Sequence, residues 1–238
     1  MNRHRQLLRI VLVCTSALLA NACEATNRIF YDLNEGLDAG VFRPAATIYT
    51  KLTPKPLRQG VSNVFDNLGY LDTVLNDFLQ GKLCQGGRDG ARLLINTTAG
   101  IGGIFDVASK WGYGENQEDF GQTLGVWGLG QGPYIVLPIL GPTTLRDLPG
   151  KGFTEVTKAL VYFNDEIFDN VVVIEVLDRR SRLAGALEAR DRSAADPYVF
   201  TREAYLQRRL FLVYDGKPPR KDEIEELESL LEGLGNEP

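Results

Sequence analysis

The chain has 238 residues, with 26 Lys and Arg against 31 Asp and Glu, one histidine and three cysteines, for a formal charge of −5 at neutral pH. An acidic balance argues against non-specific nucleic-acid binding, which needs a basic face. One histidine and three scattered cysteines leave no Cys/His metal site and no Ser-His-Asp or Cys-His dyad to assemble.

The N-terminus carries Arg3, Arg5 and Arg9 with no acid before Glu24, then an apolar run from Ile10 to Ala20 and the small-residue stretch Ala20-Asn21-Ala22. The run is too short for a permanent membrane span, and the three-part plan is that of an export signal over residues 1–22. Two processing routes fit: an ordinary Ala-x-Ala cut before Cys23, or a lipobox, Leu18 to Cys23, with Cys23 acylated. Removing the segment takes away three arginines, His4 and Cys14, and moves the formal charge from −5 to −8. Cys84 is then left without a disulfide partner if Cys23 carries lipid. The remaining residues can bury a sizeable core, and no later stretch reaches 18 consecutive apolar residues.

A helix is expected over Asn34–Lys51, then a turn at Thr53-Pro54-Lys55-Pro56. Leu57, Val61, Val64, Phe65 and Leu68, followed by Leu71, Val74, Leu75, Phe78 and Leu79, fall at helical spacing and read as core-facing stripes. From Gly81 to Gly152 glycine dominates, with Pro133, Pro138, Pro142 and Pro149 among it; short helices and tight turns are expected there. Gly100-Ile101-Gly102-Gly103-Ile104-Phe105 fails the dinucleotide pattern, because Phe105 stands where the third glycine belongs. Tyr134 to Leu140 is an apolar stretch fenced by prolines, read either as buried protein or as a wedge in a leaflet. Its candidate membrane contacts are Ile135, Val136, Leu137, Ile139 and Leu140.

Helical spacing returns at Val156, Leu160, Phe163, Ile167, Val171 and Ile174 and extends towards Arg192. Val171, Val172, Val173 and Ile174 form a turn that is apolar on every side, so it belongs in protein or in lipid. Arg179, Arg180 and Arg182 follow as candidate head-group contacts, or as the solvated end of a core helix. Asp196-Pro197 starts a helix that ends near Tyr214, and residues 217–238 form an acidic tail.

Between Asn27 and Gly150 the chain resembles the VacJ/MlaA family of outer-membrane lipoproteins. The match is carried by Asn27-Arg28, Arg58-Gln59-Gly60-Val61-Ser62-Asn63, Leu79-Gln80-Gly81-Lys82 and Arg92 with Asn96-Thr97-Thr98. It continues through Gly102 to Ala108, Glu118 to Gly125, Trp127-Gly128, Gly132-Pro133-Tyr134, Leu140-Gly141-Pro142 and Arg146-Asp147, and returns at Asp196-Pro197-Tyr198 and Tyr205 to Arg209. The chain departs from the family in a very short stretch between Cys23 and Asn27, and in Leu33 where an aromatic is common.

The resemblance implies a mainly α, ring-like single domain over residues 23–216, with short helices and Gly/Pro-rich turns around a central amphipathic channel. It implies a lipoprotein anchored through Cys23 on the periplasmic side of the outer membrane of a Gram-negative bacterium. Such a component removes mislocalised phospholipids from the outer leaflet, passes them to a soluble periplasmic carrier and associates with a trimeric porin. No cofactor, nucleotide or metal is implied, and no enzyme. Asn96, Thr97, Thr98, Asp119, Gln122 and Thr123 are candidates for the channel wall, or else caps and satisfiers of buried backbone groups. The alternative is a lipid-anchored scaffold that holds a porin and moves no lipid. A carboxylate hydrolase is disfavoured, since Glu118/Asp119 and Asp165/Glu166 are adjacent on helices and diverge by about 100°.

Overall fold

A computed structural model describes residues 24–161 and 165–219, with backbone alone over 155–161 and 165–170. The export segment, Cys23 and the acidic tail beyond residue 219 lie outside the described residues. The architecture is mainly helical, with one small β-hairpin.

Residues 24–37 form α1, which runs through a π-helical turn, Asp38–Phe42, into α2, Arg43–Leu52. In the π turn the Arg43 N–H reaches back to the Asp38 carbonyl. The next residue, Pro44, has no N–H to give, so a register slip costs least here. Thr53 is extended, as a residue before proline must be, and this breaks the helix. The long α3, Lys55–Leu79, then starts with proline in its first turn, and a turn at Gly81 leads into α4, Leu83–Thr98.

The stripes expected to face a core on α3 largely do not. Leu57, Leu75, Phe78 and Leu79 are exposed, and the buried face carries Ser62, Asn67, Asp72, Thr73, Asn76 and Asp77. Spacing identified an amphipathic helix correctly but could not say which face turns inward. The α4 helix likewise buries Gly86, Asp89, Arg92 and Asn96 while Leu83 and Leu94 stay exposed. Its 16 residues persist through Gly86, Gly87 and Gly90, against the expectation of short elements. Gly86 is needed for the crossing, since a Cβ there would lie 3.2 Å from the Asp77 Cβ and 3.0 Å from the Phe78 ring.

After α4 come α5, Val107–Lys110, and α6, Phe120–Val126. The hairpin follows, β1 (Tyr134–Leu137) pairing antiparallel with β2 (Gly141–Thr144) so that Tyr134 faces Thr144 and Leu137 faces Gly141. The sequence reading contained no strand. The chain closes with α7 (Leu148–Val161), α8 (Asp165–Ser193) and α9 (Pro197–Val213), the last capped by Asp196, which accepts from Val199 N–H.

The largest apolar cluster is small and aromatic: Tyr31, Tyr134, Val136 and Tyr198, where α1, β1 and α9 meet. The rings pack edge to face at 5.6–6.2 Å. Two asparagines seven residues apart, on one face of α1, bind the free edge of the hairpin. Asn27 donates to the Tyr134 carbonyl (2.8 Å) and accepts from Val136 N–H (2.9 Å). Asn34 does the same for the Leu137 carbonyl (2.9 Å) and Ile139 N–H (2.7 Å). The backbone groups of an unpaired edge are thereby satisfied by side chains.

Candidate functional site: a polar cavity inside an apolar exterior

Among the described residues, fully buried polar side chains outnumber buried hydrophobic ones by more than two to one, while a long series of large hydrophobic residues is exposed. Those include Leu52, Leu57, Leu94, Ile101, Phe105, Trp111, Trp127 and Leu129. Water-soluble proteins distribute these classes the other way round.

The polar side of the fold carries two adjoining hollows, open to the surface, of about 130 and 210 Å³ that share Asp66, Tyr70 and Glu115. The smaller is walled by α3, α4 and the chain around Asp106; the larger adds Glu118, Asp119, Gln122, Glu175, Arg179 and Arg182. Each is smaller than the ~300–1,000 Å³ of ordinary ligand pockets, a size suited to a head group and not to acyl chains.

Its walls are held by charge-assisted hydrogen bonds. Arg92 donates to Tyr113 O (2.6 Å), Ser109 Oγ (2.8 Å) and Asp106 Oδ2 (3.1 Å). Burial would raise the Asp106 carboxyl, but hydrogen bonds from Ser109, Asn96 and Arg92 outweigh it and pull the pKa down to about 2. Asp106 also caps α5, and Asp119 caps α6 while pairing with Arg209. Glu118 is raised by burial, in part offset by Gln80 and Lys82.

Beneath the cavity floor two buried carboxyls meet. Asp77 is pushed up to about 8 by burial, by its hydrogen bond to Asp89 and by that neighbour's charge. Burial works on Asp89 too, but Asp77, Tyr70, Gln85 and Asn116 all hydrogen-bond to it and hold it below the usual carboxylate range. Asp77 is therefore the protonated partner, and Asp89 the charged acceptor, with the Tyr70 hydroxyl at 2.7 Å.

The candidate wall residues divide. Asn96, Asp119 and Gln122 line the cavity, together with Arg179 and Arg182. Asn96 also accepts from Ala108 N–H (2.9 Å). Thr97 is exposed and accepts from Asn67 (3.0 Å), and Thr98 donates back to the Leu94 carbonyl. Thr123 is fully buried against Asn76 (2.7 Å), away from the hollows. Arg180 sits apart in a cleft between α2 and α8 and pairs with Asp38.

Of the candidate membrane contacts, Ile139 and Leu140 at the hairpin tip are exposed and Val136 is buried, with Ile135 and Leu137 between. Val173 and Ile174 are exposed on α8; Val171 and Val172 are half-buried. Asp66, Tyr70 and Glu115 were not singled out from sequence, and Asp106 stood in the run Gly102 to Ala108 without a role in the site. The polar face formed by Asp89, Arg92 and Asn96 at three- and four-residue steps was the available signal.

These features define a mainly helical protein with a polar centre and a lipid-compatible exterior. The family model for the MlaA lipoprotein matches residues 20–212, and the chain belongs to that family. It is 33% identical over 220 residues to an Escherichia coli protein called intermembrane phospholipid transport system lipoprotein MlaA, covering 90% of this chain and 87% of that one. A Haemophilus influenzae protein of the same name is 34% identical, covering 83% of this chain and 80% of its own. A solved structure reported under "Structural basis for maintenance of bacterial outer membrane lipid asymmetry" superimposes with a TM-score of 0.70 at 34% identity, covering 80% of this chain and 97% of that one.

Proposed function

We propose that the protein is a non-enzymatic component of a phospholipid transport system that maintains outer-membrane lipid asymmetry. It seats its apolar exterior in the inner leaflet, held by a lipid on Cys23, and gives the head group of a mislocalised phospholipid a polar path out of the outer leaflet. A soluble periplasmic carrier receives the lipid, and a trimeric porin holds the component in place.

The observation that carries this reading is the inverted distribution, with ionised and amide side chains around a cavity and large apolar residues outside. A head group moved through hydrocarbon without polar partners costs many kcal/mol, and a polar wall lowers that barrier. No helix among the described residues is long and apolar enough to cross a membrane, which suits seating in one leaflet.

Two exposed isoleucines add support. Ile101 and Ile139 hold left-handed backbone (φ 55° and 66°) with about two-thirds of their surface exposed. A β-branched residue there costs about 1–3 kcal/mol relative to glycine or asparagine, a cost that contact with lipid offsets and contact with water does not.

The experiment is a deletion strain. Outer-leaflet phospholipid rises on deletion and returns to normal with the wild-type chain; no rise would favour a scaffold that moves no lipid.

A further inference from the structure

Between Asp38 and Asp66 the sequence holds no acid, although the chain as a whole carries a formal charge of −5. The cations of this segment are Arg43, Lys51, Lys55 and Arg58. Arg43 pairs with Asp38 and Asp191. Lys51, Lys55 and Arg58 are in no ion pair among the described residues. All three stand at one corner, where α2 ends at Leu52 and α3 begins at Lys55. Thr53 is extended there, and Pro54 and Pro56 fix the turn. Lys51 and Lys55 are exposed and Arg58 is half-buried.

The same corner carries the most exposed large hydrophobic side chain among the described residues, Leu52 at 78%, with Leu57 and Ile48 also exposed. Ile48, Lys51 and Leu52 share one face of α2, at three- and four-residue steps. Leu57 lies one turn before Gly60, where an added Cβ would be 3.3 Å from Ile104 Cγ2, and Asn63 donates to Ile104 O (2.9 Å). The exposed apolar loop around Ile104 and Phe105 therefore flanks the start of α3, and the corner continues the apolar exterior.

Unpaired lysines beside exposed leucines suit a bilayer surface. The apolar side chains enter the acyl region, and the ammonium groups reach along their stems to the phosphates. The chain's own acids are a poorer fit. Asp215, just before the acidic tail, meets Lys82 at the other end of the 25-residue α3, about 37 Å from the corner. We infer that the α2–α3 corner docks on the head-group layer of a leaflet containing anionic phospholipid. Leu52 and Leu57 insert, and Lys51 and Lys55 contact the phosphates. This rests on the seating of the apolar exterior in a leaflet, and adds to it a preference for anionic lipid set by two lysines.

The test is flotation of the full-length chain with Cys23→Ser, so that binding reports surface contact and not the anchor. The vesicles are phosphatidylcholine alone, or phosphatidylcholine with phosphatidylglycerol at three to one. Severalfold stronger binding to the mixed vesicles is expected, shrinking as salt is raised. Lys51→Gln and Lys55→Gln should each lower binding to the mixed vesicles about fivefold and leave binding to phosphatidylcholine unchanged. Leu52→Ser with Leu57→Ser should weaken binding to both, and circular dichroism checks that each variant is folded. Lys217→Gln, an exposed lysine beyond α9, should change nothing; an equal loss there would overturn the corner in favour of net charge alone. Equal binding of the parent chain to both vesicles would overturn the anionic contact and leave leaflet seating intact, whereas binding to neither would sink both. An unchanged vesicle preference in the lysine variants, with loss of a co-purifying porin, would reassign the corner to an acidic protein surface and overturn the proposal.

Discussion

Asp119 and Arg209 form a two-pronged ion pair, with Arg209 Nη1 2.5 Å from Asp119 Oδ2 and Nη2 2.9 Å from Oδ1. The carboxylate also caps α6, accepting from Gln122 N–H, and the same guanidinium reaches Asp147 at 2.9–3.0 Å. One arginine on α9 therefore neutralises the start of α6 and the turn after β2. Gly121 makes room for it, since a Cβ there would lie 2.8 Å from Arg209 Nη2.

Removing Arg209 leaves Asp119 without its counter-charge and leaves buried Asp147 with Arg146 alone. Arg209→Ala is expected to cost about 3–5 kcal/mol, read as a fall in the thermal midpoint in detergent. Arg209→Lys should recover only part of it, because an ammonium cannot serve both carboxylates with paired hydrogen bonds.

The Asp77 carboxyl sets a pH dependence. Its folded pKa of about 8 lies above the ordinary 3.8, so between these values the folded chain holds a proton that the unfolded chain has released. Stability contributed by this group is full below about pH 4 and is lost as the pH rises through about 8. Asp77→Asn keeps a donor for Asp89 and should flatten that loss between about pH 4 and pH 8 in thermal melts across pH. An unchanged slope would count against the shared proton. Asp106, drawn down to about 2, acts in the opposite sense: its contribution is present above the ordinary carboxylate pKa and is lost as the pH falls towards 2.

Ile139 separates folding from membrane seating. Ile139→Gly relieves its left-handed backbone and should raise stability by about 1 kcal/mol, while weakening attachment. Ile139→Asp combined with Leu140→Asp should release a folded protein from membranes when Cys23 is also replaced by Ser. Fractionation together with circular dichroism reads both; an unfolded product would place the tip in the protein core.

Gly103 combines a φ of 92° with an added Cβ only 2.6 Å from the Asn67 Cβ. Gly103→Ala is therefore both strained and in collision with α3. It should cost more than the ~1 kcal/mol of a left-handed alanine alone, in the same thermal melts.

Periodicity made α3 and much of α8 legible, but not α4, whose glycines pointed to shorter elements. The start of α9 at Asp196-Pro197 and the break at Thr53-Pro54 follow from caps and proline sterics that act within a few residues. The orientation of α3 was not legible, because a helix with one apolar and one polar face reads the same whether its surroundings are water or lipid. The hairpin was hidden for another reason: β1 is stabilised by Asn27 and Asn34, more than 100 positions away. Asn96, Asp119 and Gln122 came from a shared motif and stand on the cavity, whereas Glu115 belongs to an irregular stretch and carries no periodic signal.

The central claim is that phospholipid passes through the polar cavity. A photo-crosslinking amino acid placed in living cells at Gln59, an exposed residue lining the smaller hollow, tests it most directly. The account predicts a phospholipid adduct on the protein, more abundant in cells whose outer leaflet has been loaded with phospholipid. Adducts at the outward-facing Leu94 with none at Gln59 under either condition would contradict it, leaving a protein that touches lipid only on its outside.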